Sequence, residues 1–255
     1  MLFVWYKVSF DEKWSHGSAV CETVYFFVEF VCVFPWKCVS LNNQNRGKIM
    51  DGILRKLPIG IQTFEKLREG DYLYVDKTAL VWRIASTETP YFLSRPRRFG
   101  KSLLLSTFEA YFEGKKELFE GLAIADMEKE WKTYPLFHLD LNAEKYDSPQ
   151  ALVEILSRQL TQWELKYGKG EDEETLSGRF AGVIRRACEQ SGRGVVVLVD
   201  EYDKPLLQAL GDDALLDDYR KTLKAFYGVL KSSDRYLRFV FLTGVTKFAQ
   251  VSVFS

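Results

Sequence analysis

Gly100-Lys101-Ser102 is the tripeptide whose residue types most clearly suggest chemistry in this chain. A phosphate-binding loop needs inward-facing backbone amides, a helix N-terminus, a lysine and a small hydroxyl that ligates magnesium. In that chemistry Lys101 contacts the β- and γ-phosphates of a nucleotide, and Ser102 ligates the metal ion. The full pattern begins with glycine, and Arg95 stands at that position here. Since the tripeptide alone arises by chance in about one chain in ten of this length, the prediction depends on its setting.

Asp200 and Glu201 are the second candidate pair, because they directly follow the most apolar run of the chain, Val195 to Val199. In phosphate-loop ATPases such a strand delivers an aspartate to magnesium, and a following glutamate polarises the attacking water. We therefore predict Asp200 as a metal ligand and Glu201, with Lys101, as catalytic. The alternative for Asp200 is a strand-end carboxylate that caps a nearby helix. The alternative for Glu201 is an ordinary acidic residue at an exposed strand end.

The loop before Lys101 is basic, and arginine forks match phosphate oxygens. The alternative for Arg97 and Arg98 is pairing with carboxylates elsewhere. Thr243 ends the last strand, where it is either a sensor of the γ-phosphate or a capping hydroxyl. The predicted nucleotide-binding set is Arg95, Pro96, Arg97, Arg98, Phe99, Gly100, Lys101, Ser102 and Thr243. The predicted metal ligands are Ser102 and Asp200.

Strands and helices must alternate to position these residues. Short apolar or alternating runs predict strands at residues 71–75, 90–93, 136–141, 195–199 and 237–242. Apolar residues at helical spacing predict helices between them, including one from Lys101 to Gly114. This order is typical of an α/β fold with a parallel sheet. His138 lies within a predicted strand, and we interpret it as a core histidine with its hydrogen bonds satisfied.

The composition excludes several classes of protein. The chain has 35 basic and 35 acidic residues and is 47% apolar, which excludes intrinsic disorder and gives no global basic surplus for nucleic acid. Its four cysteines have no zinc-site or disulfide-scaffold spacing, so a reducing, cytoplasmic location is predicted. Charges interrupt the most apolar stretch of residues 1–49, Val20 to Val39, so no membrane span is predicted.

The composition changes at Met50, where aromatic residues and cysteines become sparse. We interpret residues 1–49 as a doubtful N-terminal extension upstream of the natural start. The alternative is a buried strand pair that belongs to the fold. The main domain is predicted at residues 50–255, with its core at 90–255.

Four segments together resemble the bacterial AAA-ATPase-like domain family. They are residues 94–103 (SRPRRFGKSL), 75–78 (VDKT), 199–203 (VDEYD) and 242–248 (LTGVTKF). The resemblance runs from about Leu57 to the last residue. In this family arginine replaces the first glycine of the phosphate loop as a rule, so Arg95 fits the pattern.

The resemblance implies a phosphate-loop NTPase of three α/β/α layers. It implies a strand between those that lead to Lys101 and Asp200, and ATP with Mg²⁺ at the carboxyl edge of the sheet. A nuclease-like domain of the PD-(D/E)XK type often follows in this family, but its residues are absent here. Nucleic acid or a protein partner is expected only through such further chain. A fifth core strand would only begin at residues 251–254, so we interpret the chain as a fragment whose sheet is incomplete at the C-terminus.

The leading functional prediction is an ATP-binding, Mg²⁺-dependent ATP-hydrolysing switch domain with a variant phosphate loop. One alternative is a nucleotide-binding regulatory or interaction module without turnover. Another is a structural α/β domain whose site has decayed.

Overall fold

The structure is a computed structural model that describes residues 55–87, 89–142 and 145–246. The strands are β1 (Tyr91–Ser94), β2 (Leu136–Asp140), β3 (Val195–Asp200) and β4 (Leu237–Gly244). The α-helices are α1 (Phe64–Glu69), α2 (Thr78–Ala85), α3 (Lys101–Phe112), α4 (Ala123–Met127), α5 (Pro149–Tyr167), α6 (Leu176–Ser191), α7 (Lys204–Gln208) and α8 (Asp213–Ser232). Short 3₁₀ helices span Lys116–Phe119 and Asp234–Tyr236.

The described strands form one parallel sheet in the order β1-β4-β3-β2. β4 therefore lies between β1, which leads to Lys101, and β3, which ends at Asp200. The predicted α/β fold with a parallel sheet is confirmed. The expected fifth strand at residues 251–254 lies outside the described residues.

One face of the sheet packs against α5, α6 and α8. Alternate residues of β3 and β4, such as Val197 and Leu242, lie in the same core cluster as the apolar faces of these helices. Phe180 of α6 stacks on Phe226 of α8 with 4.4 Å between ring centroids. Burial of this apolar surface is the main force that holds the layer on the sheet.

The opposite face packs against α3, the helix that begins at Lys101. The ring of Phe108 lies 5.1 Å from that of Phe239 and 4.9 Å from that of Phe241, both on β4. α1 and α2 pack in turn on α3. All six residues of β3 are buried, as expected for a parallel strand covered on both faces. The sheet thus lies between two helical layers and fixes where α3 begins.

The predicted strand over residues 71–75 is wrong. The structure has there an isolated bridge between Lys56 and Tyr72, with the amide of Leu73 donating to the carbonyl of Lys56 at 2.8 Å. Tyr72 and Tyr74 are half-buried, whereas Asp71, Leu73 and Val75 are exposed. The alternating pattern arises because one side of an extended segment packs on the protein, without a strand ladder.

None of the described helices is long and apolar enough to cross a membrane. The predicted N-terminal extension, residues 1–49, lies outside the described residues.

Candidate functional site

The carboxyl ends of β1, β4 and β3 lie side by side at one edge of the sheet. Ser94 of β1 pairs with Gly244 of β4, and Val199 of β3 pairs with Leu242. The loop after β1 and the acidic residues after Val199 therefore gather at this edge. Ligand sites in open α/β sheets form at the carboxyl ends of the strands.

The loop at residues 95–100 contains two residues with a left-handed backbone conformation. Arg98 has φ of 66° and Gly100 has φ of 75°, both in the left-handed region. Such conformations turn successive amides toward one side and form anion-binding concavities. A Cβ at Gly100 would meet no atom within 4 Å, so glycine is favoured there by its conformation and not by lack of space. α3 starts at the next residue, and its N-terminal amides point out of the helix at this position.

Lys101 is buried and its ammonium lies inside the loop. Nζ donates to the carbonyl oxygens of Arg95 at 3.1 Å and Pro96 at 3.3 Å. It also lies 3.7 Å from Oε1 of Glu201. The structure therefore brings together the two residues predicted to be catalytic, and the loop holds a positive charge at its centre.

Ser102 and Asp200, the two predicted metal ligands, are in direct contact. The Ser102 hydroxyl donates to Oδ2 of Asp200 with 2.6 Å between the oxygens. Asp200 is buried at the end of β3, and Ser102 lies in the first turn of α3. The packing of α3 on β3 and β4 thus sets this contact.

These residues fit a magnesium ion of the kind that nucleotide sites hold. Mg²⁺ takes oxygen ligands in octahedral geometry at about 2.0–2.1 Å and is usually held by one or two carboxylates plus substrate phosphates and water. Adjacent ligand oxygens are then about 2.9 Å apart, by the same geometry, which is close to the Ser102–Asp200 separation. Within the described residues there is no cluster of three or more acidic, histidine or cysteine side chains suited to a metal. One carboxylate and one hydroxyl are a ligand set that leaves coordination positions for substrate phosphates and water.

Glu201 turns the chain sharply after β3. Its φ is 49°, in the left-handed region that non-glycine residues rarely adopt. Its amide donates to the Thr243 hydroxyl at 3.3 Å, and the amide of Tyr202 donates to the Thr243 carbonyl at 2.9 Å. Such strained conformations persist only where the surroundings hold them, and they cluster at active sites. In this conformation the Glu201 carboxylate lies 3.7 Å from the ammonium of Lys101.

Thr243 is fully buried between the two acidic residues. Its hydroxyl donates to Oδ1 of Asp200 at 2.5 Å and accepts from the Glu201 amide. The hydroxyl proton is therefore already used by Asp200. This geometry favours a role in positioning Asp200 and Glu201, while sensing of the γ-phosphate stays a prediction.

The arginines of the loop separate into two environments. Arg95 is buried, and its amide donates to the Gly244 carbonyl at 2.9 Å. Arg97 and Arg98 are exposed, and neither forms an ion pair with another described residue. The structure thus gives no support to the carboxylate-pairing alternative among the described residues. Pro96 and Phe99 are half-buried within the loop.

His138 contacts Glu109 of α3, with 3.4 Å between Nδ1 and Oε2. Burial alone would lower the pKa of His138, but the bond to Glu109 and the charges of Glu109, Asp200 and Asp140 outweigh it and raise the pKa. Its Nε2 is buried and has no hydrogen-bond partner among the described residues. The interpretation of a fully satisfied core histidine is therefore only half right.

Asp203 lies at the edge of the site and is not among the residues predicted from the sequence. It is completely buried and accepts three donors from Val245 and Thr246. Its place in the VDEYD segment, which carries the family resemblance, could have drawn attention to it. Its hydrogen-bond partners follow β4, about 40 residues later, and the sequence spacing does not predict that contact.

Comparisons with known proteins agree with this geometry. The family model AAA-ATPase_like, described as "Predicted AAA-ATPase", matches residues 58–254. An "Uncharacterized protein in vnfD 5'region" of Azotobacter chroococcum mcd 1 is 43% identical over 202 residues, which are 79% of this chain and 39% of that protein. The chain thus spans about two fifths of that relative's length. The comparison with solved structures gave no significant match.

The family model covers more than half of the chain and includes every predicted site residue. The resemblance inferred from the four sequence segments is therefore confirmed. By this match, and with the parallel sheet and loop that carry the same residues, the chain belongs to the AAA-ATPase-like family of predicted AAA-ATPases.

Proposed function

We propose that this chain binds ATP at the loop before α3 and hydrolyses it with magnesium. The observation that carries the proposal is the 2.6 Å contact of Ser102 with Asp200. A glycine–lysine–serine tripeptide or a strand-end acid is common when it occurs alone. Their contact joins a phosphate-type loop to a candidate metal-binding carboxylate in one site, which is the arrangement that phosphate-loop NTPases require.

Each residue then has a role set by its chemistry. The amides of the loop and the ammonium of Lys101 bind phosphate oxygens. To do so, Lys101 breaks its hydrogen bonds to the carbonyl oxygens of Arg95 and Pro96. Ser102 and Asp200 hold the metal ion, and Glu201 accepts a proton from the attacking water. Bound Mg²⁺ supplies neutralisation of the charge that develops on the phosphates.

A second candidate is nucleotide binding without turnover, as a regulatory module. The observation that favours it is the ion pair between Glu201 and Lys101, 3.7 Å apart. A carboxylate held on the lysine is not free to polarise water. Steady-state phosphate release separates the two candidates, because only the first predicts release above background.

The binding step is tested by calorimetry of ATP with Mg²⁺. We expect Lys101→Ala to weaken ATP binding at least tenfold, which corresponds to about 1.4 kcal/mol. The matched control is Lys221→Ala, which removes an exposed lysine of α8 paired with Asp217. Unchanged affinity in a Lys101→Ala protein that is still folded by circular dichroism would show that the loop is not the phosphate site.

The process served by the whole protein is a further proposal. Because the relative is longer than the aligned part, we propose that this domain acts as a nucleotide-dependent switch for additional chain. A cytoplasmic location and a nuclease-like or protein partner remain predictions from the sequence.

A further inference from the structure

Asp203 holds the segment that follows β4 through three donors. Its Oδ2 accepts from the amides of Val245 at 3.0 Å and Thr246 at 2.6 Å, and from the Thr246 hydroxyl at 2.6 Å. The Asp203 side chain is completely buried. A buried carboxylate is costly unless it is hydrogen-bonded, and charge-assisted bonds to amides are about twice as strong as neutral ones. The two residues after β4 are therefore tied firmly to the loop after β3.

The same two segments also meet at the candidate nucleotide site. Thr243 contacts Asp200 and the amide of Glu201, and the Tyr202 hydroxyl donates to the Thr246 carbonyl at 2.8 Å. Residues 200–203 and 243–246 are thus joined at both ends: Thr243 makes the contact at the site, and Asp203 makes it at the far end.

Little space remains between the two joined segments. A Cβ at Gly244 would lie 2.3 Å from the ring of Tyr202 and 2.8 Å from Oδ1 of Asp203. Tyr202 is buried and cannot move aside freely. A shift of one segment is therefore passed to the other.

The segment after β4 also holds the start of the phosphate loop. The Arg95 amide donates to the Gly244 carbonyl at 2.9 Å, and the Ser94 hydroxyl donates to the Val245 carbonyl at 3.0 Å. Val245 is therefore bound on one side by Asp203 and on the other by Ser94. The position of this segment affects both the phosphate loop and Glu201.

We propose that Asp203 is a positioning residue of the nucleotide site, which keeps Glu201 and the start of the phosphate loop in place through residues 243–246. The expected effect of Asp203 on turnover rests on the proposed function. Its expected effect on the positions of Glu201 and the phosphate loop does not, because that effect is measured without nucleotide. Asp203 acts through other residues and touches no reacting atom.

The test compares Asp203→Asn with Asp218→Asn, which changes an exposed carboxylate of α8. Asparagine has the shape of aspartate but places an amide donor against the donors of Val245 and Thr246. In amide hydrogen exchange without nucleotide, we expect at least tenfold faster exchange at Val245 and Thr246. We also expect faster exchange at Glu201 and Arg95, with α8 unchanged.

A milder variant, Thr246→Val, removes one of the three donors and keeps both amides. We expect it to raise exchange at the same positions by a smaller factor. Faster exchange confined to Val245 and Thr246 would overturn the proposal, because Asp203 would then hold only these two residues in place. Faster exchange throughout the chain would also overturn it, since that is a general loss of stability.

Kinetics give the second readout. We expect Asp203→Asn to lower kcat for ATP about tenfold while KM changes less than threefold, the pattern of a group needed in the transition state. Combined with Glu201→Gln it should add less than its separate effect, because part of that effect acts through the Glu201 carboxylate. A fully additive double variant would overturn the proposal. Absence of phosphate release from the parent protein would overturn the proposed hydrolysis instead, and hydrogen exchange would then decide the role of Asp203.

Discussion

The ammonium of Lys101 lies 3.7 Å from the carboxylate of Glu201, and both side chains are largely shielded from water. Each group partly neutralises the other where neither is well solvated. In the proposed function a bound polyphosphate attracts Lys101, so we expect this ion pair to rearrange when ATP binds. The two residues that the sequence predicts to be catalytic are therefore paired with each other in this structure.

The first prediction concerns Glu201→Gln. Loss of the carboxylate removes the competitor of phosphate for Lys101, so ATP affinity should be kept or increased. Hydrolysis should slow by about a hundredfold, as expected for the loss of a general base. Calorimetry and phosphate release measure the two effects. Equal release rates in parent and variant would favour the module without turnover.

The second prediction concerns the metal. Asp200→Asn keeps a side chain of similar shape at the end of β3 but removes the negative charge that attracts Mg²⁺. We expect at least tenfold more Mg²⁺ to be needed for half of the maximal ATP binding, while binding in EDTA stays within twofold. Asp218→Asn serves as the control. An unchanged magnesium requirement would mean that Asp200 only fixes Ser102 and Thr243.

The contact between Ser102 and Asp200 was predictable because parallel strands end at one edge of a sheet. A strand before Gly100 and a buried strand before Asp200 place a loop and a carboxylate at that edge. The register was not predictable, since it depends on β4, which lies between them. Only the structure shows that Thr243 of β4 contacts Asp200.

The wrong strand at residues 71–75 and the missed role of Asp203 have a common physical cause, since both depend on contacts with distant parts of the chain. Tyr72 and Tyr74 alternate with exposed residues, and this resembles a strand, but a ladder also needs a neighbour that the pattern does not reveal. The contacts of Asp203 were missed because two of its three donors are backbone amides. Every residue but proline has such an amide, so no residue type marks these two donors.

The third prediction compares two glycines. Gly244→Ala places a Cβ 2.3 Å from the ring of Tyr202, which is buried. We expect it to lower the free energy of unfolding by about 1–3 kcal/mol, as overpacking does. Each kcal/mol corresponds to a decrease in Tm of about 2–4 °C. Thermal unfolding without nucleotide measures the change.

Gly100→Ala is the contrasting variant, because a Cβ there meets no atom within 4 Å. Its cost is the left-handed conformation, about 1–2 kcal/mol, which a change of loop conformation can relieve. We expect Gly100→Ala to affect ATP binding more than Tm and Gly244→Ala to affect Tm strongly. The opposite order would contradict the tight packing of Tyr202 on Gly244.

The last prediction concerns pH and His138. The contact with Glu109, together with the charges of Asp200 and Asp140, raises its pKa in the folded protein above the value near 6.5 of an unfolded chain. The folded state then binds the proton more tightly, so this stabilisation is complete below about pH 6.5 and is lost as the pH rises through the folded pKa. The Tm of the parent relative to His138→Gln should therefore be higher at pH 6 than at pH 8.5. Glu109→Gln should reduce that difference. Parallel Tm curves for parent and His138→Gln across this range would show that the pair contributes no proton-linked stability.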